Sequence, residues 1–448
     1  MPSPTTGSVA YARRVGLFSG VMMVIGGIIG SGIFRNPQVV AQRVHTPGLT
    51  LGAWVLGGVI ALIGAFVYGE LGQRFPRAGG GYVYIRDAYG TLPAFLYAWA
   101  LLLMVATGAI AAVAVTFANY FIALTGLAVS PNLLAGFAIV MLSAVNYLGV
   151  KPGAVTQNVF TVLKLVALAV VIGAGLAAAV HWLPASRPEP VAVTAPRSAL
   201  FALAAALVPV LFSYGGWQQT NYIAEEIIDP ERNLPRALVV GVIGVVIVYL
   251  LANYTYLATL GAAGLATSEA PAADAMGRLL GPAGRTFITA GIVVSTFGFL
   301  NLVILVSPRV YQAMAADGLF FPQLAKLHPR YRTPAAAIVV QCAWAIVLLG
   351  LGTYGALLDY VVFADWITFS ATASTLFVYR ARARRAGGDT TTFLTPGYPV
   401  TPLLFIAAGI YVVIGSVASN PGNALKGTAL LLAGIPVYLF WKRRARAV

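Results

Sequence analysis

Gly26-Gly27-Ile28-Ile29-Gly30-Ser31-Gly32-Ile33-Phe34 interrupts an otherwise continuous apolar run near the start of the chain. Four glycines and a serine within seven residues weaken a helix by about 1 kcal/mol per glycine. Around this stretch lies an apolar span, where an unpaired backbone group costs several kcal/mol. The residues therefore predict a helix broken at mid-membrane, and broken backbone at that depth persists only where it is buried in protein or lines a cavity. The freed amides of Ser31, Gly32 and Ile33, and the carbonyls before them, need partners that a bound ligand can supply. The same glycines also fit a close helix-packing motif, Gly26-xxx-Gly30. A second interruption, Phe212-Ser213-Tyr214-Gly215-Gly216-Trp217, falls in the sixth apolar span beside Pro209 and the polar run Gln218 to Asn221. Two broken spans five helices apart point to a binding site at the centre of a repeat.

Composition sets the class. Of 448 residues, 59% are hydrophobic and 9% charged, with a mean hydropathy of +0.85, which no water-soluble domain of this length can bury. The runs stay apolar for twenty residues or more, which excludes the alternating strands of a membrane barrel. The expected fold is all-α and polytopic. The net charge of +15 does not imply a nucleic-acid partner, because the basic residues fall at helix ends rather than along a soluble face. Cys342 is the single cysteine and lies inside an apolar run, leaving no disulfide framework and no cysteine cluster for metal. The chain has no Ser-His-Asp set and no histidine pair at metal spacing. Gly79-Gly80-Gly81 has no Lys-Ser/Thr after it, so no phosphate loop is expected. No enzyme activity, no metal and no cofactor is expected.

Read in order, the chain predicts twelve transmembrane helices. Helix 1 follows Arg13 and Arg14 and is too long for a signal-peptide core. Helix 2 covers about 51–70, helix 3 about 91–124, helix 4 131–147 and helix 5 about 153–180. A proline-rich seam follows, from His181 to Pro196. Helix 6 covers about 199–226, helix 7 about 236–260, helix 8 about 284–315, helix 9 334–351 and helix 10 about 357–379. Helix 11 covers about 402–418 and helix 12 about 424–441. The stretch 261–283 is too polar to span and suggests a helix at the membrane surface. With both termini inside, twenty of the 28 lysines and arginines fall on the inner side and seven on the outer, with Lys164 within helix 5. That bias supports the cytoplasmic membrane with cytoplasmic termini. Because five is odd, helices 1–5 (16–183) run opposite to helices 6–10 (198–384), an inverted repeat followed by helices 11 and 12 (401–443) in one transporter domain, 1–448.

At this point the chain resembles the amino acid, polyamine and organocation transporters, which share the five-plus-five inverted repeat of the bacterial leucine transporter. The resemblance covers essentially the whole chain. It rests on Gly26 to Phe34, on Tyr68-Gly69-Glu70-Leu71 with Gly79 to Tyr84, on Phe212 to Trp217, and on Glu225-Glu226 followed by Asn233-Leu234-Pro235-Arg236. Tyr-Gly-Gly-Trp in helix 6 and the lysine of helix 5 look most like the L-type and alanine-serine-cysteine branch. Gln218 departs from that branch, which often has asparagine there. Animal members pair with a glycoprotein through an outer cysteine, and no cysteine stands between helices 3 and 4, so no disulfide-linked heavy chain is expected.

A broken helix suits an α-amino acid because it offers amides to the carboxylate and carbonyls to the ammonium. The amides near Ser31, Gly32 and Ile33 are expected at the carboxylate, and carbonyls at Ile28 and at Phe212 to Ser213 at the ammonium. Gly30, Gly215, Trp217 and Gln218 complete the expected pocket, and the resemblance makes Phe212 an aromatic lid. Lys164, about ten residues into helix 5, is too deep to snorkel comfortably and must find acceptors at the helix 1 break and on helix 8 near Ser295 and Thr296. In sodium-coupled relatives a cation sits there, so the resemblance implies sodium independence. Glu225 and Glu226, with Arg74 after helix 2, make a possible inner gate or, alternatively, a solvated loop network. The expected function is a secondary carrier of neutral L-amino acids working by alternating access, through exchange or proton coupling. A cationic amino acid or polyamine carrier is the alternative, and a receptor or channel the remote one. Asp359 and Asp365 are expected at the outer end of helix 10, away from the breaks, so arginine should compete poorly.

Overall fold

A computed structural model describes residues 10–181, 198–351, 354–388, 391–419 and 421–446; the side chains of 351–363, Asp359 among them, and the seam after His181 lie outside the described residues. Helices make up the described chain, and its sole extended pairing is a parallel bridge between Val15 and Ile227. Among the described residues eight helices are long and apolar enough to cross a membrane, and the bent pair Leu17–Ile28 and Gly32–Val44, counted as one span, makes nine. Two shorter apolar helices, Pro131–Tyr147 and Ala335–Leu351, and the 32-residue helix Tyr354–Arg385 accompany them.

Local chemistry explains the ends. Helix 2 runs over Pro47–Arg74 and begins where Thr46 accepts from the Leu49 amide, with proline at the first position, where its missing N–H is no loss. Helix 3 ends at Gly126, whose left-handed conformation suits a residue without Cβ. Within helix 3, Leu101–Val105 form a π-helical turn. Helices 7 and 8 extend beyond the expected limits, as Pro230–Thr267 and Pro271–Val306. They are kinked at Gly261 and Gly281, both at positive φ. The stretch expected at the membrane surface therefore folds into short helical pieces between those glycines. They bury Leu265, Met276 and Leu279.

Helix 1 stops at Ile28 and restarts at Gly32 with a bend of 43°. Helix 6 stops at Tyr214 and continues after Gly215 and Gly216 as a 3₁₀ segment, Trp217–Glu226. These breaks meet backbone to backbone: a Cβ on Gly216 would stand 2.1 Å from the Gly27 carbonyl oxygen, and Gly216 has φ +115°. A Cβ on Gly26 would stand 2.0 Å from Gln157 Nε2. The glycines thus serve both readings of the sequence. Gly26 and Gly27 admit close neighbours, while Gly30 to Gly32 open the helix.

Ahead of helix 1, the amides of Arg14 and Val15 both lie 2.9 Å from the Glu226 carbonyl, and the Ile228 amide donates to the Val15 carbonyl. The segment leading into helix 1 is thereby bound to the end of helix 6. Beneath it Glu226 forms a buried double contact with Arg309, at 2.7 and 3.2 Å.

Candidate functional site

The breaks line one cavity with about 940 Å³ of atom-free space, counted to its mouth. Ile28, Gly30, Ser31, Gly32, Phe212, Ser213, Gly215 and Gln218 all line it, as the glycine-rich stretches predict. Ser31 sits at the N-cap of the second half of helix 1 but its side chain does not cap it. The amides of Ser31, Gly32 and Ile33 have no hydrogen-bond partner among the described residues. They present three donors and the positive end of a helix dipole to the cavity.

Ile33 offers only its amide, because its side chain is fully buried behind the break. One expected residue stands elsewhere. Trp217 is 2% exposed and packs against Tyr68, Phe369 and Phe405 with ring centroids 4.9 to 6.3 Å apart. Gly216 at φ +115° turns the chain so that the indole faces helices 2, 10 and 11; it props the break rather than lining the cavity.

The carbonyls ahead of the helix 1 break are already held. Lys164 is fully buried and donates to Gly26 O at 3.1 Å, Ile29 O at 2.7 Å and Ser295 O at 3.2 Å, so all three ammonium hydrogens are used. It lies fourteen residues beyond Val150, about 21 Å along helix 5, deeper than expected because that helix starts earlier. Ser295 Oγ reaches Ile29 O at 3.1 Å and Gly30 O at 3.3 Å. Thr296 does not take part, since its hydroxyl donates to Ile292 O and Val293 O of its own turn. Asn158 and Thr161 continue the tie, to Ser19 Oγ and Met22 O. One face of helix 5 thus grips one face of the first half of helix 1.

Helix 6 closes its break with its own residues. The Gly216 amide donates to Gln218 Oε1 at 3.0 Å, so the amide of Gln218 braces the turn. Asn36 links the halves of the site by donating to Ser213 Oγ at 2.8 Å and Pro209 O at 3.1 Å. Tyr249, on helix 7, has no signal in the sequence beyond being one tyrosine among 21. Its hydroxyl lies 3.0 Å from Ile28 O and 3.1 Å from Ser213 O, the two carbonyls expected to await an ammonium. A phenol has one proton and serves one of them at a time.

The inner ion pairs differ from the expected gate. Glu226 pairs with Arg309, whereas Arg74 pairs with Glu70 at 2.6 Å, and Glu70 also binds Arg380. Glu225 forms no ion pair within 4 Å among the described residues. The reason is depth: Glu226 is fully buried against helix 8, and helix 2 reaches only as far as its own acid and helix 10.

The most consequential departure is Asp365. Helix 10 begins at Tyr354, so Asp365 lies eleven residues in, about 16 Å along the axis, and it lines the cavity with Trp366 and Phe369. The expectation that it stands at the outer end is corrected. Leu101, Val105 and Ala106, in and beside the π-turn of helix 3, form another unforeseen wall. No group of three metal-ligating side chains occurs among the described residues.

A bundle of membrane-crossing helices with two broken spans around one cavity defines a solute carrier. The chain belongs to the amino acid permease family, whose model matches residues 15–440. It is 31% identical over 452 residues to the large neutral amino acids transporter small subunit 2 of Mus musculus, covering 98% of this chain and 83% of that protein. It is 31% identical to the serine/threonine exchanger SteT of Bacillus subtilis (strain 168), covering 96% of this chain and 97% of that one. To the Asc-type amino acid transporter 1 of Mus musculus it is 30% identical, over 98% and 84%. The protein is a multi-pass membrane transporter and not an enzyme.

Proposed function

We propose that this chain exchanges neutral L-amino acids across a cell membrane by alternating access. The observation that carries the reading is that three free amides, Ser31 to Ile33, and the Ile28 and Ser213 carbonyls belong to the two breaks that line one cavity. The amides suit a carboxylate, and the carbonyl that Tyr249 is not serving suits the ammonium. Exchange is supported by the printed function of the serine/threonine exchanger, and neutral substrates by the large neutral amino acids transporter.

The inverted repeat of 16–183 and 198–384, followed by 401–443, and the twelve-helix count belong to this reading, as do cytoplasmic termini in the cytoplasmic membrane. Lys164 occupies the space between helices 1 and 8, which supports sodium independence. The one cysteine, Cys342, stands in helix 9, which supports a carrier without a disulfide-linked heavy chain. The test is counterflow in liposomes. Vesicles loaded with unlabelled alanine, serine or leucine should accumulate the labelled amino acid without a sodium gradient. Equal uptake into empty vesicles would overturn exchange, and no uptake of any neutral amino acid would overturn the proposal.

A further inference from the structure

Among the described residues, two buried acids of the spans are held by arginines. Glu70 is held by Arg74 and Arg380, and Glu226 by Arg309. Asp365 stands on the wall of the central cavity, half-buried. Its carboxylate has no ion pair and no hydrogen bond among the described residues. Thr368 donates to its backbone carbonyl, not to its side chain.

No lysine or arginine lines the cavity. The polar groups within electrostatic reach of Asp365 are the phenols of Tyr68, Tyr97 and Tyr222. Tyr97 already donates to Tyr222 at 2.9 Å. Gln219 also lines the cavity, and its Oε1 is buried without a partner. This wall thus sets two acceptors without a partner among the described residues, the Asp365 carboxyl and Gln219 Oε1, beside phenols that can donate as well as accept, and it holds no cation. Lys164 makes its three hydrogen bonds behind the break and none with Asp365.

A neutral amino acid brings equal and opposite charges, both satisfied by the broken helices, and leaves Asp365 unmatched. A side-chain ammonium would match it. We propose that Asp365 makes this wall a subsite for an ammonium on the substrate's side chain, so that diamino acids enter the same exchange cycle. The inference rests on the reading of the cavity as the amino acid site, and it adds a substrate class to that reading.

The test compares 2,4-diaminobutyrate with norvaline at neutral pH, a pair of nearly equal shape that differs by an ammonium in place of a terminal methyl. Competition against labelled alanine in liposomes gives the ratio of their apparent affinities for the parent, Asp365→Asn and Asp365→Glu. The parent should favour 2,4-diaminobutyrate at least tenfold. Asp365→Asn should bring the ratio to one or below, and Asp365→Glu should restore part of it. If the parent prefers norvaline, or if Asp365→Asn keeps the parent ratio, the subsite is wrong. If Asp365→Asn does not fold, as judged by its melting in detergent, the parent ratio and that of Asp365→Glu decide. Norvaline competition by the parent keeps the outcomes apart: without it the cavity reading itself fails, and with it only the subsite is in question.

Discussion

The two broken helices solve one problem in opposite ways. Helix 1 hands its freed carbonyls to neighbours, Lys164 of helix 5 and Ser295 of helix 8. Helix 6 is braced at its turn from within, through Gln218 and the positive φ of Gly216, and touched from outside by Tyr249 and Asn36. A break held from outside can be released when its neighbours shift, whereas a turn braced from within travels as a unit. The contrast predicts that the moving parts divide between helix 1 and the face of helix 5 rather than at the Gly216 turn.

The largest test of that division is Lys164→Ala. Losing an ammonium that ties Gly26, Ile29 and Ser295 should slow exchange more than tenfold, while equilibrium binding of alanine changes less than threefold. Liposome flux and calorimetry measure the two separately, and equal losses in both would place Lys164 in the binding site proper. Next come the glycines of the helix 1 break. A Cβ on Gly32 would stand 2.9 Å from Ser213 Oγ and 3.1 Å from Ser213 Cα, so Gly32→Val disturbs folding as well as binding. Gly32→Ala should cost about 1–3 kcal/mol of stability, as overpacking does. Gly30→Ala meets only the Phe299 ring at 3.5 Å, an ordinary contact. It should leave the melting temperature within a degree or two of the parent's and weaken alanine binding several-fold; equal melting losses in the two variants would erase the distinction.

On the helix 6 side, Gln218→Ala removes the acceptor of the Gly216 amide and should cost about 1–3 kcal/mol, with Gln218→Glu recovering most of it. Melting curves of the two variants report this directly, and a flat response would mean that glycine conformation alone holds the turn. The smallest effect is expected of Tyr249→Phe, which removes a hydroxyl shared by the two breaks. A loss of about 1 kcal/mol, seen as a few-fold weaker binding, is the expected result. A tenfold loss would make the phenol a direct substrate ligand.

Much of this was legible in the sequence, and for particular reasons. Glycines in an apolar run conflict with helix formation, so both breaks announce themselves, and an intramembrane lysine must find acceptors, so Lys164 does too. The π-turn of helix 3 leaves no trace, because Leu101-Leu102-Leu103-Met104-Val105 would serve equally well in an ordinary helix. Asp365 is visible but misjudged: starting helix 10 at 357 rather than at Tyr354 makes its depth look about 5 Å shallower. The inner ion pairs escaped for a different cause. Arginines are plentiful on that side, and sequence spacing cannot rank Arg74 against Arg309 as the partner of Glu226. Trp217 was assigned by its neighbours in sequence, but the turn at Gly216 sends it the other way.

The short pairing of Val15 with Ile227 has a kinetic meaning. It knots the start of one broken span to the end of the other on the same side of the membrane, with the Glu226–Arg309 contact directly beneath. Were the knot made in only one state of the cycle, every 1.4 kcal/mol in it would change the proportion of open to shut molecules tenfold. Too strong a knot would then starve the cycle of open carriers, and too weak a knot would leave the cavity ajar with no cargo aboard. Shortening the few residues before helix 1 is expected to trade turnover against leak.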